Sequence, residues 1–254
     1  MLSTYSDLDG KVAVVTGGSR GIGARTARLL AAQGTAVCVV GRDENALAGV
    51  VADITAAGGT ALGRVADVTN PDALAELGPI VESELGPADI LAAFAGGQGF
   101  PTPSHRLSVE RWYEVLDSDL TSAFLTIRTF LPAMLERRRG VIVTMASAAG
   151  RQPSQANLAY GVANAGLIML TRHLATELGP DGIRINAIAP SSIRTEKVAA
   201  NMPEPVQQRV AEMHPLRRLG TTDDVAQTAL FLASDASAYL SGITVDVAGG
   251  RITN

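Results

Sequence analysis

The first residues able to do chemistry lie in the run Thr16-Gly17-Gly18-Ser19-Arg20-Gly21-Ile22-Gly23. Glycines at this spacing let backbone N–H groups approach a pyrophosphate, and a helix N-terminus beyond them favours its negative charge. The run follows an apolar segment and precedes a helical pattern, as a dinucleotide site requires. A P-loop needs Lys-Ser/Thr after the last glycine, and Ala24-Arg25 stand there instead. The same residues also read as G-x-S-x-G, a hydrolase elbow with Ser19 as nucleophile. That elbow normally follows several strands, and here only one precedes it. His105, His173 and His214 leave a triad formally possible, but they are scattered and only Cys38 could join them at zinc. Each reads better as a surface or partly buried polar residue. Cofactor choice turns on Val39-Val40-Gly41-Arg42-Asp43. An acid after the second strand holds the ribose 2′-OH of NAD, whereas arginine accommodates the 2′-phosphate of NADP. Glycine takes the acidic position, Arg42 follows, and Asp43 suits the N-cap of the next helix. NADP(H) is therefore expected, with NAD(H) held by Asp43 as the alternative.

Further along, Met145-Ala146-Ser147-Ala148-Ala149-Gly150 precedes Tyr160-Gly161-Val162-Ala163-Asn164. With the glycine turn, Asp67-Val68, and an ending that runs from Tyr239-Leu240-Ser241-Gly242 through Asp246 to Gly249-Gly250, nearly the whole chain resembles the short-chain dehydrogenase/reductase family. The resemblance implies that Tyr160 passes a proton to a carbonyl oxygen while hydride arrives from nicotinamide, and that Ser147 hydrogen-bonds that oxygen. It implies cofactor contacts from Gly17, Ser19, Arg20, Gly21, Ile22, Gly23, Arg42, Asp67, Val68, Ala95, Gly96, Tyr160, Asn164, Pro190, Ile193 and Thr195. The chain departs from the family pattern close to the chemistry. Asn164 stands where the family's Y-x-x-x-K has lysine, and Asp119 where a helix carries asparagine. Phe94-Ala95-Gly96 replaces N-A-G, and Pro190-Ser191 replaces P-G. The family's lysine holds the nicotinamide ribose and lowers the tyrosine pKa from about 10. An ammonium about 4 Å from a forming phenolate is worth roughly 4 kcal/mol at an effective dielectric of 20, about a thousandfold in rate. Asn164 can hydrogen-bond ribose but brings no charge, and an ionised Asp119 would oppose the phenolate. The expected catalytic set is Ser147, Tyr160, Asn164 and Asp119, in an atypical NADP(H)-dependent oxidoreductase acting on a small carbonyl or alcohol. The alternative is a cofactor-binding protein with little turnover. Lys11 and Lys197 are the only lysines; Lys197 or Arg194 could replace the missing charge, although surface positions are expected for both. Gln98, Phe100, Gln152, Ser192 and Met202 are candidates to line the substrate pocket.

Positioning these residues requires short apolar runs alternating with helical patterns. Strands are predicted at Lys11–Thr16, Thr35–Val40, Thr60–Val65, Asp89–Phe94, Gly140–Ala146, Gly182–Ala189 and Ile243–Val247, bounded by turn residues as buried parallel strands are. Helices are predicted at Gly21–Gln33, Asn45–Ala57, Asp72–Leu85, Val109–Arg137, Asn157–Leu178 and Asp223–Ala233, with Pro132 expected to kink or split the fourth. Arg137-Arg138-Arg139 should meet the negative end of that helix. This alternation implies an α/β fold, a doubly wound Rossmann-type parallel sheet of about seven strands with helices on both faces, as one domain over 1–254. The irregular stretches Gly96–His105 and Pro190–Pro205 follow strand C-termini, where open sheets bind ligands, and substrate loops are expected over about 96–107 and 190–215. A net charge of −4 without a larger basic cluster argues against nucleic acid as partner. No stretch is apolar enough to span a membrane. One cysteine precludes an internal disulfide, and the polar start lacks a signal-peptide pattern, so a cytoplasmic location is expected. Excess apolar residues on the fourth and fifth helices, which pair in relatives, point to a homodimer or homotetramer.

Overall fold

The computed structural model describes residues 3–253. Seven parallel strands form one sheet: β1 Val12–Thr16, β2 Ala36–Gly41, β3 Ala61–Val65, β4 Ile90–Ala93, β5 Gly140–Met145, β6 Ile183–Pro190 and β9 Thr244–Val247, in the order β3-β2-β1-β4-β5-β6-β9. The order reverses between β1 and β4, which opens a crevice at their C-terminal ends. Side chains alternate across the sheet, so both faces of each central strand need apolar residues. Ala13, Val15, Val37 and Val39 face a core closed by helices α1 (Gly21–Ala31), α2 (Glu44–Ala56) and α9 (Thr222–Ala233). Val12, Val14, Cys38 and Val40 face the opposite core, closed by α3 (Pro71–Leu85) and α5 (Ser122–Arg137). Burial there pushes the Cys38 thiol up to about 12. Toward β6, small residues Ala93, Ala146, Ala187 and Ala189 let Leu167 and Ile168 of α6 (Leu158–Leu178) come close. Among the described residues, no helix is long and apolar enough to cross a membrane.

Two sequence expectations fail here. The helix predicted over Val109–Arg137 is interrupted, but not at Pro132, which lies within the continuous α5. The interruption is one π turn at Asp117–Thr121, between α4 (Val109–Leu116) and α5. Ser122 Oγ donates to the Ser118 carbonyl at 2.6 Å within it, and such π bulges frequently occur at functional sites. The second failure is Pro190–Pro205, read as irregular, within the expected substrate loop 190–215. It holds β7 (Ile193–Arg194), paired with β8 (Gly220–Thr221), and the short helices α7 (Glu196–Asn201) and α8 (Glu204–Glu212). Thr195 caps α7 by accepting from Val198 N, a signal too short to separate from a turn in sequence. The arginine run does sit at the end of α5, where Arg137 Nε donates to the Ala133 carbonyl at 3.0 Å and the guanidinium pairs with Asp89 at 2.9 Å.

Candidate active site

The glycine turn joins β1 to α1 at the crevice. Thr16 Oγ1 accepts from Phe94 N at 3.0 Å and Ala95 N at 3.3 Å, tying the end of β1 to the end of β4. A Cβ at Gly17, where φ is +64°, would lie 2.7 Å from the Phe94 carbonyl oxygen. One at Gly23 would run into the Gly17 carbonyl, so turn and helix pack more closely than side chains allow. Ile22 packs partly buried against the core, a Cβ at Gly96 would meet the Asp119 carboxyl, and Thr195 arrives from the far loop, its methyl 3.5 Å from where a Gly21 Cβ would stand. Pro190 ends β6, and Ile193 is buried beneath the same loop. At the end of β2, Asp43 caps α2 by accepting from Ala46 N at 2.9 Å and pairs with Arg20 at 2.5 Å. Arg42 and Asp67 are both exposed and 4.0 Å apart. Backbone and side-chain donors of Thr69, with Arg42 beyond them, hold the Asp67 carboxyl below its usual range. Val68 beside it is buried. Gly41 leaves room for Ser19, whose Oγ would be 3.2 Å from a Cβ there.

The second half of the site lies at the ends of β4 and β5. Ser147 follows β5, its Oγ accepting from Ala149 N at 3.1 Å. Asn157 caps α6 by accepting from Tyr160 N at 2.9 Å, and its amide donates to the carbonyls of Gln98 at 2.8 Å and Phe100 at 3.0 Å. One side chain thus starts the tyrosine's helix and fastens the loop above it. Gly99 of that loop packs on the Tyr160 ring so closely that a Cβ would meet ring carbons at 3.1 Å. One helical turn after Tyr160, the buried Asn164 donates to its carbonyl at 2.9 Å. Asp119 projects from the π turn to the same loop, where Oδ1 accepts from Gly97 N at 2.6 Å and Gln98 N at 3.4 Å. Its Oδ2 is buried without a hydrogen-bond partner. Burial raises the pKa of Asp119 against these N–H donors. Burial also raises that of the Tyr160 phenol; hydrogen bonding from Ser147 and then Asn164 opposes the rise, and the charge of Asp119 adds to it. Ser147, Asn164 and Asp119 therefore all influence the ionisation of the Tyr160 phenol.

The profile described as enoyl-(acyl carrier protein) reductase matches residues 17–251. The chain belongs to the short-chain dehydrogenase/reductase family. A cis-4-hydroxycyclohexanecarboxylate dehydrogenase of Sinomonas cyclohexanicum is 38% identical over 94% of this chain and 96% of its own. A 3-oxoacyl-[acyl-carrier-protein] reductase of Synechocystis is 39% identical over 96% and 98%. The structure of a 3-oxoacyl-[acyl-carrier protein] reductase with bound NAD from Brucella melitensis superposes with a TM-score of 0.89 at 32% identity, covering 98% of this chain and 94% of that one. The fold is thus that of short-chain dehydrogenases/reductases, and the chain is an oxidoreductase of that family.

Several supports of this family's site escaped the sequence reading. Asn157 carried a signal, an N-cap residue type opening a helix, but its tether to the loop depends on contacts 57 and 59 residues apart. Arg151 and Asp246, paired at 3.0 Å and largely buried, fasten the turn after Ser147 to β9. His214 goes further than the surface or partly buried position expected of it. It is 2% exposed, with Nε2 2.9 Å from Ser191 Oγ and Nδ1 2.8 Å from the Val210 carbonyl. Ser191, at the departure from P-G, thereby ties the end of β6 to the end of α8. The same bonds leave His214 engaged away from Ser19. Of the candidate pocket residues, Gln98 is fixed by Arg111 at 2.9 Å and Phe100 is exposed at the cleft mouth. Gln152 is exposed, while the carbonyls of Ser192 and Met202 are taken by Gly220 N and Gln207 Nε2.

Proposed function

We propose that the protein is an NADP(H)-dependent oxidoreductase of small carbonyls and alcohols, with Tyr160 as acid/base and a site whose missing ammonium slows the chemistry. One observation supports this most: Ser147, Asn164 and Asp119 all influence the Tyr160 phenol, in a chain whose β1–α1 glycine turn is too tight for side chains. That turn suits a pyrophosphate, since the approach of backbone that excludes a Cβ is what exposes N–H groups to an anion. When bound, the nicotinamide supplies or accepts the hydride. Tyr160 then gives its hydroxyl proton to the carbonyl oxygen in reduction and takes it back in oxidation, and the Ser147 hydroxyl orients that oxygen. The Gly99 segment over the ring keeps water from the phenol. Asn164 holds position without charge, so the phenolate forms less readily than beside a lysine. Asp43 is already engaged as the cap of α2, which favours the exposed Arg42, with Arg20 once released from Asp43, as the residues meeting a 2′-phosphate over Asp43 as a ribose acid. A second reading, cofactor binding with little turnover, is favoured by the raised pKa of the phenol. We further propose a cytoplasmic homodimer or homotetramer.

The deciding experiment pairs a fluorescence titration of NADPH and NADH with a turnover screen over simple ketones. NADPH should bind about tenfold or more tightly than NADH, as a charged hydrogen bond allows. Arg42→Ala should remove that preference, and Tyr160→Phe should abolish turnover. Equal affinities sink the NADP assignment. Tight NADPH binding with no ketone consumed gives the second reading.

A further inference from the structure

Lys197 is the one lysine near the cleft, and its surroundings are unusual. Lys11, on the other side of the molecule, pairs with Asp7 at 3.2 Å and Asp235 at 3.7 Å. Lys197 has no carboxylate within ion-pair range among the described residues. Its neighbour Glu196 turns away, its Oε2 3.8 Å from where a Gly21 Cβ would stand. The ammonium instead lies 5.0 Å from the centre of the Phe100 ring, an attractive cation–π distance that holds the group in place but leaves its charge uncompensated. The contact bridges the two loops that border the crevice, α7 on one side and the loop after β4 on the other. Phe100 is also tied to the reacting end of the site. Gly99, one residue earlier, rests on the Tyr160 ring, and Asn157 holds the Phe100 carbonyl at 3.0 Å. The ring itself is 57% exposed, open to the skeleton of a bound molecule.

We infer that the cleft mouth recognises substrates bearing a carboxylate several atoms from the reacting carbonyl or alcohol, with Lys197 meeting the carboxylate and Phe100 the carbon skeleton. This rests on the reading of Tyr160 as the reacting end of the cleft. A neutral substrate of the same shape gains the ring contact but not the charge. The exposed position of Lys197 limits the gain to about three- to tenfold, the upper range for a solvent-screened ion pair.

The test compares 4-acetylbenzoate with 4-acetylbenzamide, which differ in charge and little in size. Calorimetry on the protein saturated with NADP+ measures their affinities without turnover, because a ketone and the oxidised cofactor cannot react. The acid should bind about three- to tenfold more tightly than the amide, and the gap should narrow between about 50 and about 500 mM salt. Lys197→Gln should bring the acid to the amide's affinity, whereas Lys197→Arg should retain most of the preference. Equal affinities for acid and amide, binding of neither, or a Lys197→Gln variant that weakens both alike would overturn the inference. Turnover of the same ketones with NADPH is read separately. Its absence beside a persisting preference for the acid removes the reductase reading and leaves the carboxylate site standing.

Discussion

Tyr160 carries a phenol that its surroundings make harder to ionise, since burial and the Asp119 charge outweigh the hydrogen bonding of Ser147 and Asn164. An ammonium in place of the Asn164 amide would reverse that balance. Asn164→Lys should raise turnover of a generic ketone by about ten- to a hundredfold, on the scale of general acid catalysis. Steady-state kinetics would check this; the gain should disappear in the double variant with Tyr160→Phe. Wild-type turnover already ordinary and unchanged by Asn164→Lys would mean that the site has another source of positive charge. Asp119 yields a separate prediction about stability. Burial raises its pKa in the folded state, so the folded protein holds the proton more tightly than the unfolded chain. The contribution of this group to stability is full below the unfolded value of about 3.9 and declines as pH rises through the folded value. At pH 7 Asp119→Asn should therefore raise the unfolding temperature by about 2–4 °C, the shift that roughly 1 kcal/mol gives in a chain of this size. The difference from wild type should shrink toward pH 4. An equal gain at both pH values would show that ionisation of Asp119 is not the cause.

At the scale of elements, the loop over Tyr160 owes its position to neighbouring helices rather than to its own sequence. The π turn between α4 and α5 presents Asp119 to Gly97 N and Gln98 N, and the N-cap of α6 presents Asn157 to the carbonyls of Gln98 and Phe100. Two substitutions separate the roles of Asn157. Asn157→Ala removes cap and tether together and should lower stability by about 1 kcal/mol or more. Asn157→Ser keeps an oxygen to accept from Tyr160 N but is too short to reach the carbonyls of Gln98 and Phe100. It should lose less stability than Asn157→Ala, because the cap is retained, while the KM for ketone rises several-fold. If chemical denaturation shows Asn157→Ser as unstable as Asn157→Ala, the tether and the cap are not separable.

At the scale of the whole molecule, α4, α5 and α6 leave a set of apolar side chains uncovered. Tyr113, Phe124, Leu158, Val162 and Met169 are all exposed in the single chain. The proposed second copy, packed on these helices, would cover residues that a solitary chain leaves in water. Light scattering at micromolar concentration should give twice or four times the chain's mass of 26.3 kDa, and Phe124→Asp with Met169→Asp should shift it toward the monomer. A wild-type monomer would remove the assembly from the proposal.

The sequence by itself determined the parallel sheet, because seven apolar runs buried on both faces leave no other partner for the helices between them. It also marked the glycine turn, Ser147 and Tyr160, since each depends on neighbours within a few residues: a strand end, a helix start, a close approach of backbone. Asp43 as a cap was legible for the same reason. What the tertiary structure decided involves residues far apart in the chain. Whether Asp119 reached the loop over the tyrosine depended on one π turn, which an ungapped helical pattern cannot display. The burial of His214 depended on Ser191, and the placing of Lys197 depended on Phe100, which lies across the crevice. Such contacts are set by how the loops pack once the strand ends are fixed, and local propensity has no access to that distance.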